Sequence, residues 1–195
     1  MDLIRNILAV VGLLACVAGV TAAPHVWEVK TRFDQFDPKA VDTYLDMFAQ
    51  IMETGNAAEA TVWKAQVNSE LTADDVDETI KFVANEHNIK NVGELPLYKQ
   101  VEAMSGKPYR FVKIYMFCNA MTAAQMLDYS DAYAAYLPCR LSLVEDKQGN
   151  LWIYTLNMDP MIYGGTPLPA DLKAEAIKVK SIMQDVLKRG AKGDF

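Results

Sequence analysis

The chemistry most available to this chain is sulfur chemistry. Cys118 lies in the run Met116-Phe117-Cys118-Asn119-Ala120-Met121, Cys139 follows Pro138, and Met158-Asp159-Pro160-Met161 adds two thioethers. Thiolates and thioethers are polarizable donors that suit soft metals such as copper(I), and also haem iron. Cys118, Cys139, Met116, Met121, Met158 and Met161 are therefore the candidate ligand or redox residues. The same residue types are common core fillers, and two thiols in an oxidising compartment can instead form a disulfide. A reactive Cys139 would need cations beside it to lower its pKa. Arg140, next to it in a strand, points to the opposite face.

A second cluster is aromatic. Tyr129, Tyr133 and Tyr136 recur at spacings of four and three and share a helical face. They can line a ligand pocket, form a partner surface, or rim the core with their hydroxyls in water. Asp74, Asp75, Asp77 and Glu78 crowd a helix start, where carboxylates complement the helix dipole.

Other chemistries are absent from the sequence. It has two histidines, His25 and His87, too few for a His-rich metal site. There is no phosphate-binding glycine loop, no G-x-S-x-G elbow and no H-E-x-x-H. No C-x-x-C-H occurs, so covalent c-type haem is not expected and copper or non-covalent haem remain as cofactors. No activated nucleophile–base pair is present, so the expectation is a binding protein rather than an enzyme. The net charge is −6 and the pI about 4.9, which speaks against a nucleic-acid surface.

Regular elements must position these groups. Asp37-Pro38 reads as an N-cap with Pro at the first helical position. Val41, Tyr44, Leu45, Phe48, Ile51 and Met52 follow at helical spacing up to Gly55. Thr61–Asn68 reads as a short strand. Thr72-Ala73-Asp74-Asp75 is a capping box opening a helix with Val76, Ile80 and Val83 on its apolar face, ending near His87-Asn88. Ile89–Leu97 reads as extended, with Pro96 at its end. Tyr109–Cys118 is the strongest strand. It is apolar on both parities, so it is expected to be central and covered on both faces. Thr122-Ala123-Ala124-Gln125 is a second capping box.

Strands Cys139–Glu145 and Leu151–Asn157 flank a hairpin loop at Asp146–Asn150. The rigid Gly164–Pro169 loop leads to a last helix reaching about Arg189. Leu172, Ala176, Val179, Met183 and Val186 form its buried stripe, and Gly190 is its stop. This order predicts an α+β two-layer sandwich, an antiparallel or mixed sheet covered by helices, over a single domain at 24–195.

Residues 1–23 stand apart. Ile7 to Ala23 contain no charge over 17 residues, near the lower limit for a membrane span and long for a signal core. Three fates fit. Val20-Thr21-Ala22 suits cleavage of a signal peptide, the whole run suits a retained hydrophobic helix as anchor, and Leu13-Leu14-Ala15-Cys16 is similar to a lipidation site. Each predicts a protein that is periplasmic, secreted or anchored to the outer side of an inner membrane. A buried N-terminal helix is disfavoured because no polar face interrupts the run.

Tyr136-Leu137-Pro138-Cys139-Arg140-Leu141, followed by an apolar strand and the Glu145–Gly149 turn, resembles the domain of unknown function 302 family. Leu71–Val76 opening a helix, the strand through Phe117, and Cys118-Asn119-Ala120 opening the next are similar as well. The resemblance covers about residues 61–159, leaving 160–195 as a helical extension. It implies an α+β fold and allows a homodimer. It implies no activity and supplies no catalytic residues. The resulting expectation is a periplasmic or membrane-tethered binding or accessory protein, holding a soft metal, haem or a sulfur species near Cys118 and Cys139. The alternative is an anchored interaction subunit of a respiratory-type membrane complex, docking through its tyrosine face or final helix.

Overall fold

The computed structural model describes residues 27–195, so the leader expected over 1–23 and His25 lie outside it. Helical residues 27–33 (α1) precede α2 (Ala40–Thr54), the short α3 (Ala57–Ala60) and β1 (Val62–Gln66). Then come α4 (Ala73–Glu86), β2 (Lys90–Leu95), α5 (Leu97–Ser105), β3 (Val112–Cys118) and α6 (Ala120–Tyr129). A 3-10 turn at Asp131–Tyr136 leads to β4 (Cys139–Glu145), β5 (Leu151–Leu156), α7 (Asp159–Tyr163) and the long α8 (Ala170–Lys192).

The five strands form one sheet in the order β1-β5-β4-β3-β2, antiparallel throughout. Helices α4 and α8 pack on each other and against it. The core lies between these layers: Tyr115, Phe117, Leu141, Leu143 and Ile153 from the strands meet Val76, Ile80, Val83, Met183 and Val186 from the helices. This is the α+β two-layer architecture expected, with the sheet antiparallel rather than mixed.

β3 meets its expectation in part. It is an interior strand, paired with β4 on one side and β2 on the other, but only Tyr115 and Phe117, on its helix-facing side, are fully buried. Ile114 and Met116, on the other side, stay half-buried. Two apolar parities in sequence therefore did not mean two fully buried faces.

Local signals held where the chemistry was local. Thr72 and Asp75 make the full capping box: the Thr72 side chain accepts from the Asp75 amide and the Asp75 carboxylate from the Thr72 amide. Gly55 ends α2 in the left-handed conformation, at φ 65°. Asp37 acts differently from a simple N-cap, because α2 begins at Ala40. Asp37 is 3% exposed. It accepts from the Lys39 amide, bonds the Lys173 ammonium and donates its own amide to Gly165. It thus clamps the α2 start to the 164–166 loop and to α8. The second capping box is also displaced: Asn119 caps α6, accepting from the Met121 and Thr122 amides. Helices α1, α3, α5 and α7 were not anticipated. α5 follows directly on Pro96, and α7 opens with Asp159-Pro160, which suits a first turn.

α8 continues through Gly190 to Gly193, which takes the left-handed cap at φ 75°. Gly190 sits inside the helix because a Cβ there would lie 3.0 Å from Ile80 Cγ1 and 3.1 Å from Ile153 Cδ1. Close helix–sheet approach, not termination, accounts for this glycine. Gly190→Val should lower stability by about 1–3 kcal/mol through overpacking. Gly190→Ala should change it by less than about 1 kcal/mol, since a small clash is set against better helix propensity. Urea midpoints of the two variants check this, and a Val variant as stable as the parent would refute the close-approach account.

Candidate functional site

The end of β3 and the start of β4 lie side by side, with Phe117 paired to Cys139 in the ladder. This register brings Cys118 and Cys139 to one end of the sheet, where both line a narrow apolar cavity of about 50 Å³. Met158, at the N-cap of α7, and Met161, within it, supply further lining, and so does Met126 of α6. Helix α8 closes the cavity with Ala176 and Val179. Both cysteines are free thiols. Burial, and then the neighbouring Cys118, push the Cys139 thiol up to about 11. At neutral pH Cys139 is therefore a protonated thiol, which argues against spontaneous nucleophilic or exchange chemistry.

Four of the six expected sulfur residues converge. Met116 and Met121 do not. Met121 is 74% exposed, in the first turn of α6. Met116 is on the sheet face opposite Phe117, with its Cε 2.7 Å from where a Gly93 Cβ would be. Strand alternation separates Met116 from its neighbour Phe117. Met126 was the residue missed. Its signal was present: with Asn119 as the cap, Thr122 and Met126 fall on one face of α6, both lining the cavity.

Tyr133 and Tyr136 form the wall between this cavity and a larger cleft of about 590 Å³. Tyr129, Tyr133 and Tyr136 all border that cleft, as do Tyr44, Met161 and the 164–166 loop. Successive tyrosine rings are 6.2 and 6.4 Å apart. They are not on one α-helix; the last two belong to the 3-10 turn, in which residues three apart eclipse. The Tyr133 hydroxyl donates to the Met161 carbonyl at 3.0 Å, and Tyr44 donates to the Gly164 carbonyl at 2.6 Å. The first bond ties the wall to the sulfur cluster, and the second pins the loop as the rim of the cleft.

Two polar clusters lie elsewhere. Asp77 of α4 accepts from Lys113 at 2.5 Å, Tyr115 at 2.5 Å and Lys81 at 2.7 Å. Glu94 joins both lysines. Burial alone would raise the Asp77 carboxyl, but the bonds from Lys113, Lys81 and Tyr115 hold it below its ordinary value. Asp77 is thus a strut between helix and sheet, not only a helix-dipole partner. His87, at the end of α4, has its Nε2 2.7 Å from the Asp185 carboxylate, which also faces Arg189. Among the described residues, no three His, Cys, Asp or Glu side chains group as a metal site. Any ion in the cavity would therefore depend on methionine sulfur as well as the two cysteines.

A family model, the domain of unknown function DUF302, matches residues 65–190. The chain belongs to that family. The DUF302 span holds the whole sulfur cavity and nearly all of α8, so the last helix is part of the family body rather than an extension to it. Helices α1, α2 and α3 and the start of β1 precede it. A solved structure of an uncharacterized conserved DUF302 protein from Bacillus stearothermophilus is similar in fold, with a TM-score of 0.55 and 16% identity. That likeness covers 66% of this chain and 97% of the other. No curated protein matches the sequence.

Proposed function

We propose that this DUF302 protein is a periplasmic or membrane-tethered binding protein that holds a soft ligand in the cavity at the strand ends. The observation carrying this reading is the convergence of Cys118, Cys139, Met126, Met158 and Met161 on one apolar cavity of about 50 Å³. A cavity of that size accommodates an ion or about three to four water-sized atoms. Copper(I) and compact sulfur species fit this volume, whereas a haem macrocycle does not. A haem would have to occupy the tyrosine-lined cleft instead, whose volume lies in the range of small-molecule sites. Copper(I) is the best match, because it accepts mixed thiolate and thioether donors.

The test is metal analysis and absorption spectroscopy of protein purified from its own membrane or periplasmic fraction, compared with Cys139→Ala. Loss of the bound species in the variant is expected; unchanged content rejects the site. The pH dependence is a second readout. Binding to thiolate must displace the Cys139 proton, so copper(I) affinity should tighten by about tenfold per pH unit below pH 11 for that thiol. A flat profile between pH 6 and 8 would show that Cys139 is not a ligand.

A second reading, an anchored interaction subunit, draws support from one specific feature. The apolar stripe of α2 faces solvent, with Phe48 60% and Met52 71% exposed.

A further inference from the structure

Helix α2 is amphipathic in an unusual sense: its apolar side is the one turned away from the protein. Only Ala40 and Thr43 are buried, and Tyr44 reaches the body through its bond to Gly164. Val41, Leu45, Phe48 and Met52, at spacings of four, three and four, are 47, 58, 60 and 71% exposed. At 100° per residue these four fall within about 60° of each other, flanked by Ile51 and Ala49. Trp27 and Phe33 of α1 add exposures of 71 and 45%. The contiguous apolar arc on α2 is of the kind that marks an interaction site.

We infer that this surface of α1 and α2 lies on a lipid bilayer, in the headgroup–acyl boundary, as a foot for the DUF302 body. The inference rests on the reading that residues 7–23 remain in the membrane. The uncharged run ends at Ala23, four residues before Trp27, so at most about 14 Å of chain separates them. A run inserted in a bilayer therefore holds the start of α1 at the surface of that same bilayer, and α2 follows six residues after α1. Trp27 then sits at headgroup level, where indole is favoured.

Charge narrows the occupant further. Asp42, Asp46 and Glu53 lie together on one flank of the arc, and α2 carries no Lys or Arg. A second copy of α2 packed antiparallel would bring these carboxylate flanks onto the same side, and an anionic lipid surface would repel them. A zwitterionic surface does neither, and the apolar arc supplies the attraction. Among the described residues no helix is long and apolar enough to cross a membrane; α2 offers its arc to the surface.

The test places the photoreactive residue p-benzoylphenylalanine at Phe48, at Leu13 and at Lys147 in separate full-length chains, each reconstituted in phosphatidylcholine vesicles. Phe48 is exposed, so the probe should leave folding intact. Irradiation followed by mass spectrometry is expected to give lipid adducts at Phe48 and Leu13 and none at Lys147. A lipid adduct at Leu13 without one at Phe48 overturns the foot and leaves the tether standing. Loss of the segment bearing Leu13, or its failure to label lipid, overturns both. A covalent dimer through Phe48, or its capture by residues 7–23, assigns the stripe to protein and likewise overturns the inference.

Discussion

Phe117→Ala is expected to lower the unfolding free energy by about 3–5 kcal/mol, the range for removing a buried aromatic side chain. Phe117 is fully buried. It stacks on Tyr115 with centroids 6.3 Å apart and planes within 6°, and its ring forms part of the wall of the sulfur cavity. The variant thus loses transfer energy and ring contacts and opens a larger void next to one already present. For a chain of this size that corresponds to a fall in melting temperature of about 10 °C. Phe117→Leu keeps part of the volume and should cost less. Denaturant and thermal melts of both variants decide; a loss below about 1 kcal/mol for the Ala variant would mean the strand end is looser than the packing described.

Asp77→Ala is expected to cost about 2–3 kcal/mol at neutral pH, chiefly by leaving the buried Tyr115 hydroxyl without an acceptor. Lys113 and Lys81 are less affected, because each keeps Glu94, at 2.7 and 3.3 Å. Adding Tyr115→Phe should therefore recover part of the loss, whereas the same change in the parent should cost stability. A double-mutant cycle reads that coupling directly. The pH dependence has a definite sign. Asp77 and Glu94 are held below their ordinary values of 3.8 and 4.5. Their contribution is fully present above those values and is lost as pH falls through the lower values of the folded state. The gap between parent and Asp77→Ala should accordingly be widest near pH 7 and narrow steadily below about pH 4. A gap that is constant down to pH 3 would show that the network does not stabilise the fold through charge.

Elements were legible in the sequence wherever a few adjacent residues sufficed. The Thr72–Asp75 capping box, the glycine stop at residue 55, the Asp146–Asn150 turn between β4 and β5, and the α8 stripe from Leu172 to Val186 all appear as read. Signals failed where the partner was remote. Gly190 looked like a helix stop, but Ile80 and Ile153 are what require its missing side chain. Asp77 looked like one of several dipole-complementing carboxylates, but Lys113 and Tyr115, on another element, give it a different role.

The candidate site divides in the same way. Residue types alone pointed to sulfur at the strand ends, and the local spacing of Tyr129, Tyr133 and Tyr136 pointed to a shared aromatic surface. Both are properties of neighbouring residues, set by side-chain chemistry and chain period. Membership of the cavity was not. Cys118, Cys139, Met158 and Met161 meet because the Phe117–Cys139 register and the packing of α7 and α8 bring them there. Met116 and Met121 are excluded by sheet alternation and by exposure on α6. Whether an apolar stripe is core or surface was likewise a tertiary matter: α8 and α2 carry similar periodicity, yet one faces the sheet and the other faces out. Periodicity specifies a face, and only the assembled layers determine what that face meets.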